Sequence, residues 1–200
     1  MLRSLLLFSA ATLFATTALA ATIGEPAPAF SATDAITGKP ISNETLKGKI
    51  VVLEWNNFQC PFVHKFYDSG TMQKLQAAAV KDGVEWISVN SSAENKEGYL
   101  HDAATAKAAI AEHHSHASHY LLDHDGKIGH AFGAKSTPTM AVIDKNGTLV
   151  YEGAIDSIPS PDVNDIPKAT NYVTATLASL KAGTPIAVTH TQAYGCFVKY

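Results

Sequence analysis

The chain has 200 residues, of which 46% are hydrophobic, and its 15 basic and 18 acidic residues leave a formal net charge of −3. This near-neutral balance contains no run of basic residues, which argues against nucleic acid or an anionic lipid surface as a partner. The length suits one domain with a full hydrophobic core.

The first 20 residues have the pattern of a secretory signal peptide. Arg3 precedes a continuous apolar run, and small residues at 18–20 fit a cleavage site. The apolar run is shorter than the roughly 20 residues that cross a bilayer, so an uncleaved anchor is the weaker alternative. We predict cleavage after Ala20 and a single periplasmic or secreted domain at 21–200 with no membrane association.

Strand and helix patterns alternate through the first half of this domain. The apolar run at 48–57 predicts a strand buried on both faces, and Pro61 suits the first position of a following helix. A second helical stretch begins at Thr71 and ends at Gly83, before a predicted strand at 84–90. This order is a βαβ unit, which is normally right-handed with parallel strands.

The second half predicts an insertion, an antiparallel hairpin, a helix and an irregular tail. An Asn-Gly turn between two β-rich runs is the strongest of these patterns. The expected elements are a helix at 105–114, a short strand or connector at 119–123, helical turns at 127–133, hairpin strands at 139–144 and 148–155, a loop at 157–167, a helix at 168–183 and a tail at 183–200.

This order of elements, with a cysteine at the first strand-to-helix junction, resembles the thioredoxin fold. The resemblance rests on "VVLEWNNFQCPFV", which contains Cys60, and on "STPT" before the strand "MAVID". Pro138 matches the cis-proline that faces the active cysteine in that superfamily. The insertion, the hairpin and the terminal "YGCFVKY" are most similar to the redoxin branch, the peroxiredoxin-like proteins related to alkyl hydroperoxide reductase and thiol-specific antioxidant.

The resemblance covers residues 23–200 and implies an α/β, thioredoxin-like fold. It implies a βαβ–ββα arrangement around a central mixed sheet, with an insertion before the cis-proline half and a C-terminal tail that packs back. Two departures concern the reaction. Val63 stands where thioredoxins carry a second cysteine, and Leu53 and Asn57 stand where peroxiredoxins carry a proline and a threonine or serine. The sequence therefore has neither the vicinal dithiol nor the usual peroxide-binding set.

Cys60 is the candidate reactive thiol. A cysteine at a helix N-terminus faces free N–H groups and the positive end of the helix dipole, which both favour the thiolate. His64 and Lys65 would add positive charge if their side chains pointed the same way. An inert buried thiol is the alternative, but the carboxyl ends of strands in α/β sheets are where active sites gather.

Glu54 lies six residues before Cys60, inside the apolar strand. In thioredoxins the matching position holds a buried acid that moves protons for the cysteines. Burial among apolar neighbours would raise the pKa of this carboxyl and suit it to proton transfer. The alternative is a glutamate that is partly solvated or paired with a lysine.

Cys196 is the second of only two cysteines in the chain. As a resolving cysteine it would condense with a sulfenic acid on Cys60. A permanent disulfide that pins the tail is one alternative, with a stabilisation of roughly 4–5 kcal/mol in the chain-entropy model. Two unpaired thiols are the other.

A cluster of histidines is the rival functional pattern. Two or three imidazoles from this cluster could bind zinc or copper. No adjacent cysteine or helical i, i+4 acid fixes the geometry, so a solvated loop is favoured and no metal or cofactor is predicted. The clustered histidines are His113, His114, His116 and His119, with His124 and His130 nearby.

Two hypotheses of function follow. The first is an exported thiol–disulfide or peroxiredoxin-like oxidoreductase that acts on a peroxide or a disulfide and draws electrons from an unidentified thiol donor. Cys60 attacks, Glu54 moves a proton, Thr137 and Pro138 position the substrate, and Cys196 resolves. The second is a non-catalytic binding protein on the same fold, locked by a structural Cys60–Cys196 disulfide, that binds either a partner or a metal ion, the latter through the histidine cluster.

Overall fold

The computed structural model describes residues 21–200, and the predicted signal peptide lies outside the described residues. The strands are β1 (Ser31–Thr33), β2 (Pro40–Ser42), β3 (Val51–Trp55), β4 (Glu85–Asn90), β5 (His119–Leu122), β6 (Ser136–Thr137), β7 (Thr139–Ile143), β8 (Leu149–Gly153) and β9 (Cys196–Phe197). The helices are α1 (Pro61–Asp68), α2 (Thr71–Lys81), α3 (Ala103–Glu112), α4 (Lys127–Ala131) and α5 (Tyr172–Ala182), with a 3₁₀ helix at Val163–Lys168.

A mixed sheet of five strands, in the order β5-β4-β3-β7-β8, organises the domain. β3 pairs in parallel with β4, and β4 in parallel with β5, so the expected βαβ unit is confirmed. β7 pairs antiparallel with both β3 and β8, which confirms the predicted hairpin. The α/β class with a central mixed sheet is therefore confirmed.

Alternate residues of β3 divide the core into two layers. Val52 and Trp86 belong to the layer covered by α1, α2 and α5, whereas Leu53 and Trp55 pack with Phe132 on the opposite face. All five of these side chains are almost fully buried. Each contributes about 1.5–3 kcal/mol in transfer free energy, which fixes the register of β3 and hence the place where the strand ends.

Several boundaries differ from the sequence-based expectation for local reasons. α3 begins at Ala103 because Asp102 and Thr105 form a reciprocal capping box. α5 begins at Tyr172 because the Asn171 side chain accepts a hydrogen bond from the Thr174 amide. The small β1–β2 pair, the 3₁₀ helix in the expected loop and the two-residue β9 in the expected irregular tail were not predicted.

Within residues 21–200, no helix has the length and apolar character that crossing a membrane requires.

The C-terminal tail is attached to the domain on both sides of Cys196. Upstream, Glu152 of β8 donates to the Thr189 carbonyl and accepts from the Thr191 amide, each at 3.1 Å. Downstream, the Val198 amide donates to a carbonyl at 3.0 Å, and the Tyr200 hydroxyl donates to the Ala134 carbonyl at 2.7 Å. The tail is therefore a bound segment of the domain.

Candidate active site

Cys60 is the N-cap residue of α1, at the carboxyl end of β3. Its backbone N–H donates to the Asn57 carbonyl at 3.0 Å, which forms the turn between strand and helix. The Cys60 side chain is 0% exposed, and its thiol donates a hydrogen bond to the Thr137 carbonyl at 3.2 Å. The thiol therefore lies inside the protein, against the segment that precedes Pro138.

The segment before Pro138 brings the second cysteine to the first. The Thr137–Pro138 bond is cis, as the family resemblance implies. β6 pairs antiparallel with β9, and Thr137 lies opposite Cys196. Gly195 has a φ of +129°, and a Cβ atom at this position would lie 2.0 Å from the Thr137 carbonyl oxygen. Only glycine allows this close approach, so the residue before Cys196 determines how near the tail can come.

The two cysteines are free thiols that interact directly. Burial, followed by the hydrogen bond and the charge of Cys60, raises the pKa of Cys196 from its ordinary value of 9.0 to about 12. The proton is therefore retained on Cys196 when Cys60 is ionised. This pair has the arrangement of a nucleophile with an adjacent thiol that can condense with it.

The two basic residues that follow Cys60 do not face it. The Lys65 ammonium is buried and lies 2.9 Å from Asp156 and 3.1 Å from the Ile158 carbonyl. The His64 ring lies 3.1 Å from both carboxylate oxygens of Asp68 on the helix surface. The condition under which these residues would add positive charge at the thiol is therefore not met.

Glu54 is fully buried on the helix-covered face of β3. Its carboxylate is neither exposed to solvent nor paired with a lysine, so the alternative of a partly solvated or lysine-paired glutamate is wrong. Trp86 Nε1 and Gln76 Nε2 donate to Oε2 at 2.8 and 3.0 Å. Asn56 Nδ2 and the Tyr67 hydroxyl donate to Oε1 at 3.0 and 2.9 Å, and Ser88 completes the set at 3.2 Å.

These five donors replace water around the Glu54 carboxylate, which is what a buried acid requires. Burial, together with the negative charge of Glu54, raises the pKa of Tyr67 well above its ordinary value, so the phenol keeps the proton that it donates. No thiol is among the five partners. The role of Glu54 in moving protons for Cys60 stays a prediction.

The clustered histidines have separate partners. The His113 ring stacks on Phe58 with centroids 4.2 Å apart, and burial lowers its pKa. His119 lies between two carboxylates, at 3.0 Å from Asp34 and 3.5 Å from Glu85. Within residues 21–200, no three potential ligands converge on one point that could hold a metal ion.

Two residues near the thiols had no sequence signal that singled them out. Asp156 and Tyr194 form a buried group with Lys65, although 91 positions separate Lys65 from Asp156. Gly195 did carry a signal, because a glycine directly before a tail cysteine indicates a close backbone approach.

The fold and the two neighbouring thiols define a thioredoxin-like protein. Its second cysteine, Cys196, comes from the C-terminal tail and lies beside the segment that contains the cis-proline. The chain belongs to the Redoxin family, whose sequence model matches residues 22–170. No match was found among curated proteins.

Solved structures share the fold over most of the chain. An uncharacterized conserved protein from Geobacillus kaustophilus is 26% identical, with a TM-score of 0.75, over 90% of this chain and 92% of that chain. A hypothetical protein from Sinorhizobium meliloti is 22% identical, with a TM-score of 0.74, over 91% and 96%. The exposed lipoprotein thioredoxin Etrx1 of Streptococcus pneumoniae is 23% identical, with a TM-score of 0.54, over 77% and 98%. The thioredoxin-like fold expected from the sequence is confirmed.

Proposed function

We propose that this protein is a thiol-dependent oxidoreductase in which Cys60 and Cys196 alternate between dithiol and disulfide. The observation that carries the proposal is that both cysteines meet at Thr137. The Thr137 carbonyl accepts a hydrogen bond from the Cys60 thiol, and Thr137 lies opposite Cys196 in the β6–β9 pair. A structural disulfide needs no such placement at the carboxyl end of a central strand, whereas active sites of α/β folds gather there.

In the oxidising half-reaction, the Cys60 thiolate attacks one oxygen of a hydroperoxide. The O–O bond breaks, Cys60 becomes a sulfenic acid, and the remaining alkoxide or hydroxide takes a proton. Cys196 then attacks the Cys60 sulfur, the S–O bond breaks, and the proton of Cys196 leaves with the hydroxide as water.

Burial of the two sulfurs separates the routes of oxidant and reductant. Cys60 is 0% exposed, whereas Cys196 is only partly buried and is followed by Phe197, which is 78% exposed. We infer that the oxidant is a small molecule and that the thiol donor attacks the sulfur of Cys196. That attack forms a mixed disulfide at Cys196 and releases Cys60 as the thiolate. A second donor thiol then frees Cys196 and leaves the donor as a disulfide.

Thr137 and Pro138 are the proposed positioning residues, since the Thr137 carbonyl orients the Cys60 thiol before reaction. Glu54 is the proposed proton carrier.

We also infer that the protein works outside the cytoplasm. The signal-peptide pattern at residues 1–20 supports this, and so does the likeness in fold to an exposed lipoprotein thioredoxin.

The test is a thiol count and peptide mapping after stoichiometric hydrogen peroxide. The wild-type protein should lose two thiols and gain one Cys60–Cys196 bridge that a physiological thiol reduces again. Cys60→Ser should abolish turnover, and Cys196→Ser should accumulate a sulfenic acid on Cys60 that dimedone traps. A bridge with a potential below about −300 mV that resists every physiological thiol would instead establish the structural disulfide.

A further inference from the structure

A buried ion pair joins α1, the helix that Cys60 caps, to the segment that follows β8. The side chains of Lys65 and Asp156 are 0% and 2% exposed, and their charged atoms are 2.9 Å apart. A buried pair of this kind is costly unless further hydrogen bonds satisfy both groups. The Ile158 carbonyl accepts from Lys65 at 3.1 Å, and the Ile158 amide donates to Asp156 at 3.1 Å.

Tyr194 of the tail supplies the remaining partner of this pair. Its hydroxyl donates to Oδ1 of Asp156, and the Lys65 ammonium lies 3.5 Å from the same hydroxyl. Its ring packs edge-on against Phe62 of α1, with centroids 5.8 Å apart. Burial, with the hydrogen bond and charge of Asp156, raises the pKa of Tyr194, so the phenol remains a donor.

We propose that Tyr194 is a positioning residue for Cys196. Cys60 and Lys65 belong to the same helix, and Tyr194 stands two residues before Cys196, so one contact ties the helix of the first thiol to the tail of the second. This inference rests on the proposed dithiol–disulfide cycle. It adds that the effective concentration of Cys196 at Cys60 depends on the buried Lys65–Asp156 pair, which includes neither cysteine.

The need for such a contact follows from disulfide geometry. A disulfide tolerates only a narrow range of Cα separation and dihedral angle, so freedom of the tail lowers the probability of bonding. Tethering raises an effective concentration only when the tether holds the partners in a productive geometry. Downstream of Cys196 the tail is attached by neutral hydrogen bonds and by a partly exposed ion pair between Lys199 and Glu97 at 3.2 Å, whereas Tyr194 attaches it upstream to an almost fully buried charge.

The test compares Tyr194→Phe with Tyr120→Phe in the full domain. Tyr194→Phe removes the hydroxyl and keeps the ring on Phe62 and the Lys65–Asp156 pair. Tyr120→Phe is the matched control. It also removes a buried hydrogen bond of a tyrosine hydroxyl, to Asn56 at 3.3 Å, but Tyr120 contacts no tail residue in the contacts that we observe. Each protein is equilibrated in buffers of reduced and oxidised glutathione, and the fraction of Cys60–Cys196 disulfide gives the effective concentration.

Tyr194→Phe should lower the effective concentration about tenfold, since a hydrogen bond to a charged group is lost on one side only. Dimedone should also trap more sulfenic acid on Cys60 in this variant, and Tyr120→Phe should match the wild type in both measurements. Equal effective concentrations in Tyr194→Phe and wild type would overturn the inference, and so would an equal fall in both variants. If the wild type itself forms no reducible bridge, the proposed function fails, which is a separate outcome.

Discussion

The backbone of Thr137 contacts both cysteines. Its carbonyl accepts a hydrogen bond from the thiol of Cys60 at 3.2 Å, and Cys196 lies opposite Thr137 in the β6–β9 pair. The pairing ends here because Pro138 has no N–H to donate. The backbone of Thr137, directly before the proline, therefore positions both cysteines relative to each other.

The first prediction concerns the pH dependence of Cys196. Burial, and then the hydrogen bond and charge of Cys60, raise the pKa of Cys196 from 9.0 to about 12. Its alkylation by iodoacetamide in the reduced wild type should therefore still increase about tenfold per pH unit above pH 9. In Cys60→Ser the thiol hydrogen bond and the charge of Cys60 are both absent, so the profile should move to lower pH. Peptide mass spectrometry measures both profiles, and a plateau below pH 9 in the wild type would contradict the assignment.

The second prediction concerns Glu54→Gln. Oε2 accepts from Trp86 Nε1 and Gln76 Nε2, so the glutamine oxygen must take that place. Its amide nitrogen then faces Asn56 Nδ2, and one buried donor loses its acceptor. The free energy of unfolding should fall by about 1–3 kcal/mol, measured by denaturant titration.

The same variant tests the proton role of Glu54. Glu54→Gln should slow alkylation of Cys60 across neutral pH. Ser88→Ala is the matched control, because it removes one donor from the same carboxylate but keeps the acid. Rates in Glu54→Gln that equal those in Ser88→Ala and the wild type would leave Glu54 as an acceptor that stabilises the core and nothing more.

The third prediction concerns Gly195→Ala. A Cβ atom there would lie 2.0 Å from the Thr137 oxygen, so β9 must separate from β6. Oxidation should then give a Cys60 sulfenic acid with little Cys60–Cys196 bridge. Gly183→Ala is the matched control, since Gly183 also has a positive φ, +68°, but no atom within 4 Å of the added methyl group. Normal bridge formation in Gly195→Ala would show that the tail does not need this contact.

The fourth prediction is weak binding of zinc and copper by the histidines at 113–119. His113 stacks on Phe58, whereas His119 is engaged by Asp34 and Glu85, so the rings are held in different places. Titration calorimetry should show no tight stoichiometric site. One tight site in the wild type, absent from a His113→Ala and His116→Ala double variant, would refute the prediction.

The meeting of Cys60 with Pro138 was predictable because local patterns define the elements that carry them. A continuous apolar run marks β3, a proline marks the start of α1, and an Asn-Gly turn marks the β7–β8 hairpin. Once β3 and β7 are neighbours, the end of one strand faces the start of the other, with Trp55 opposite Thr139. The order of elements therefore determines the position of the site.

The side-chain contacts around the site were not predictable in the same way. The direction of Lys65 depends on Asp156 and Tyr194, which approach it only in the folded domain. β9 has two residues and no periodic pattern, and its pairing with β6 depends on the close approach at Gly195. Tertiary packing decides such contacts, and apart from the glycine directly before Cys196 no short-range sequence pattern indicates them.

The separation of the two cysteines along the chain also bears on how the protein matures. Four of the five central strands follow Cys60, and all of them precede Cys196. The thiols can meet in native geometry only after these non-local strand pairings have formed, which is the slow part of folding such a topology. During refolding from the reduced, denatured state, the appearance of the Cys60–Cys196 bridge should therefore mark the completion of the sheet rather than the early formation of its helices.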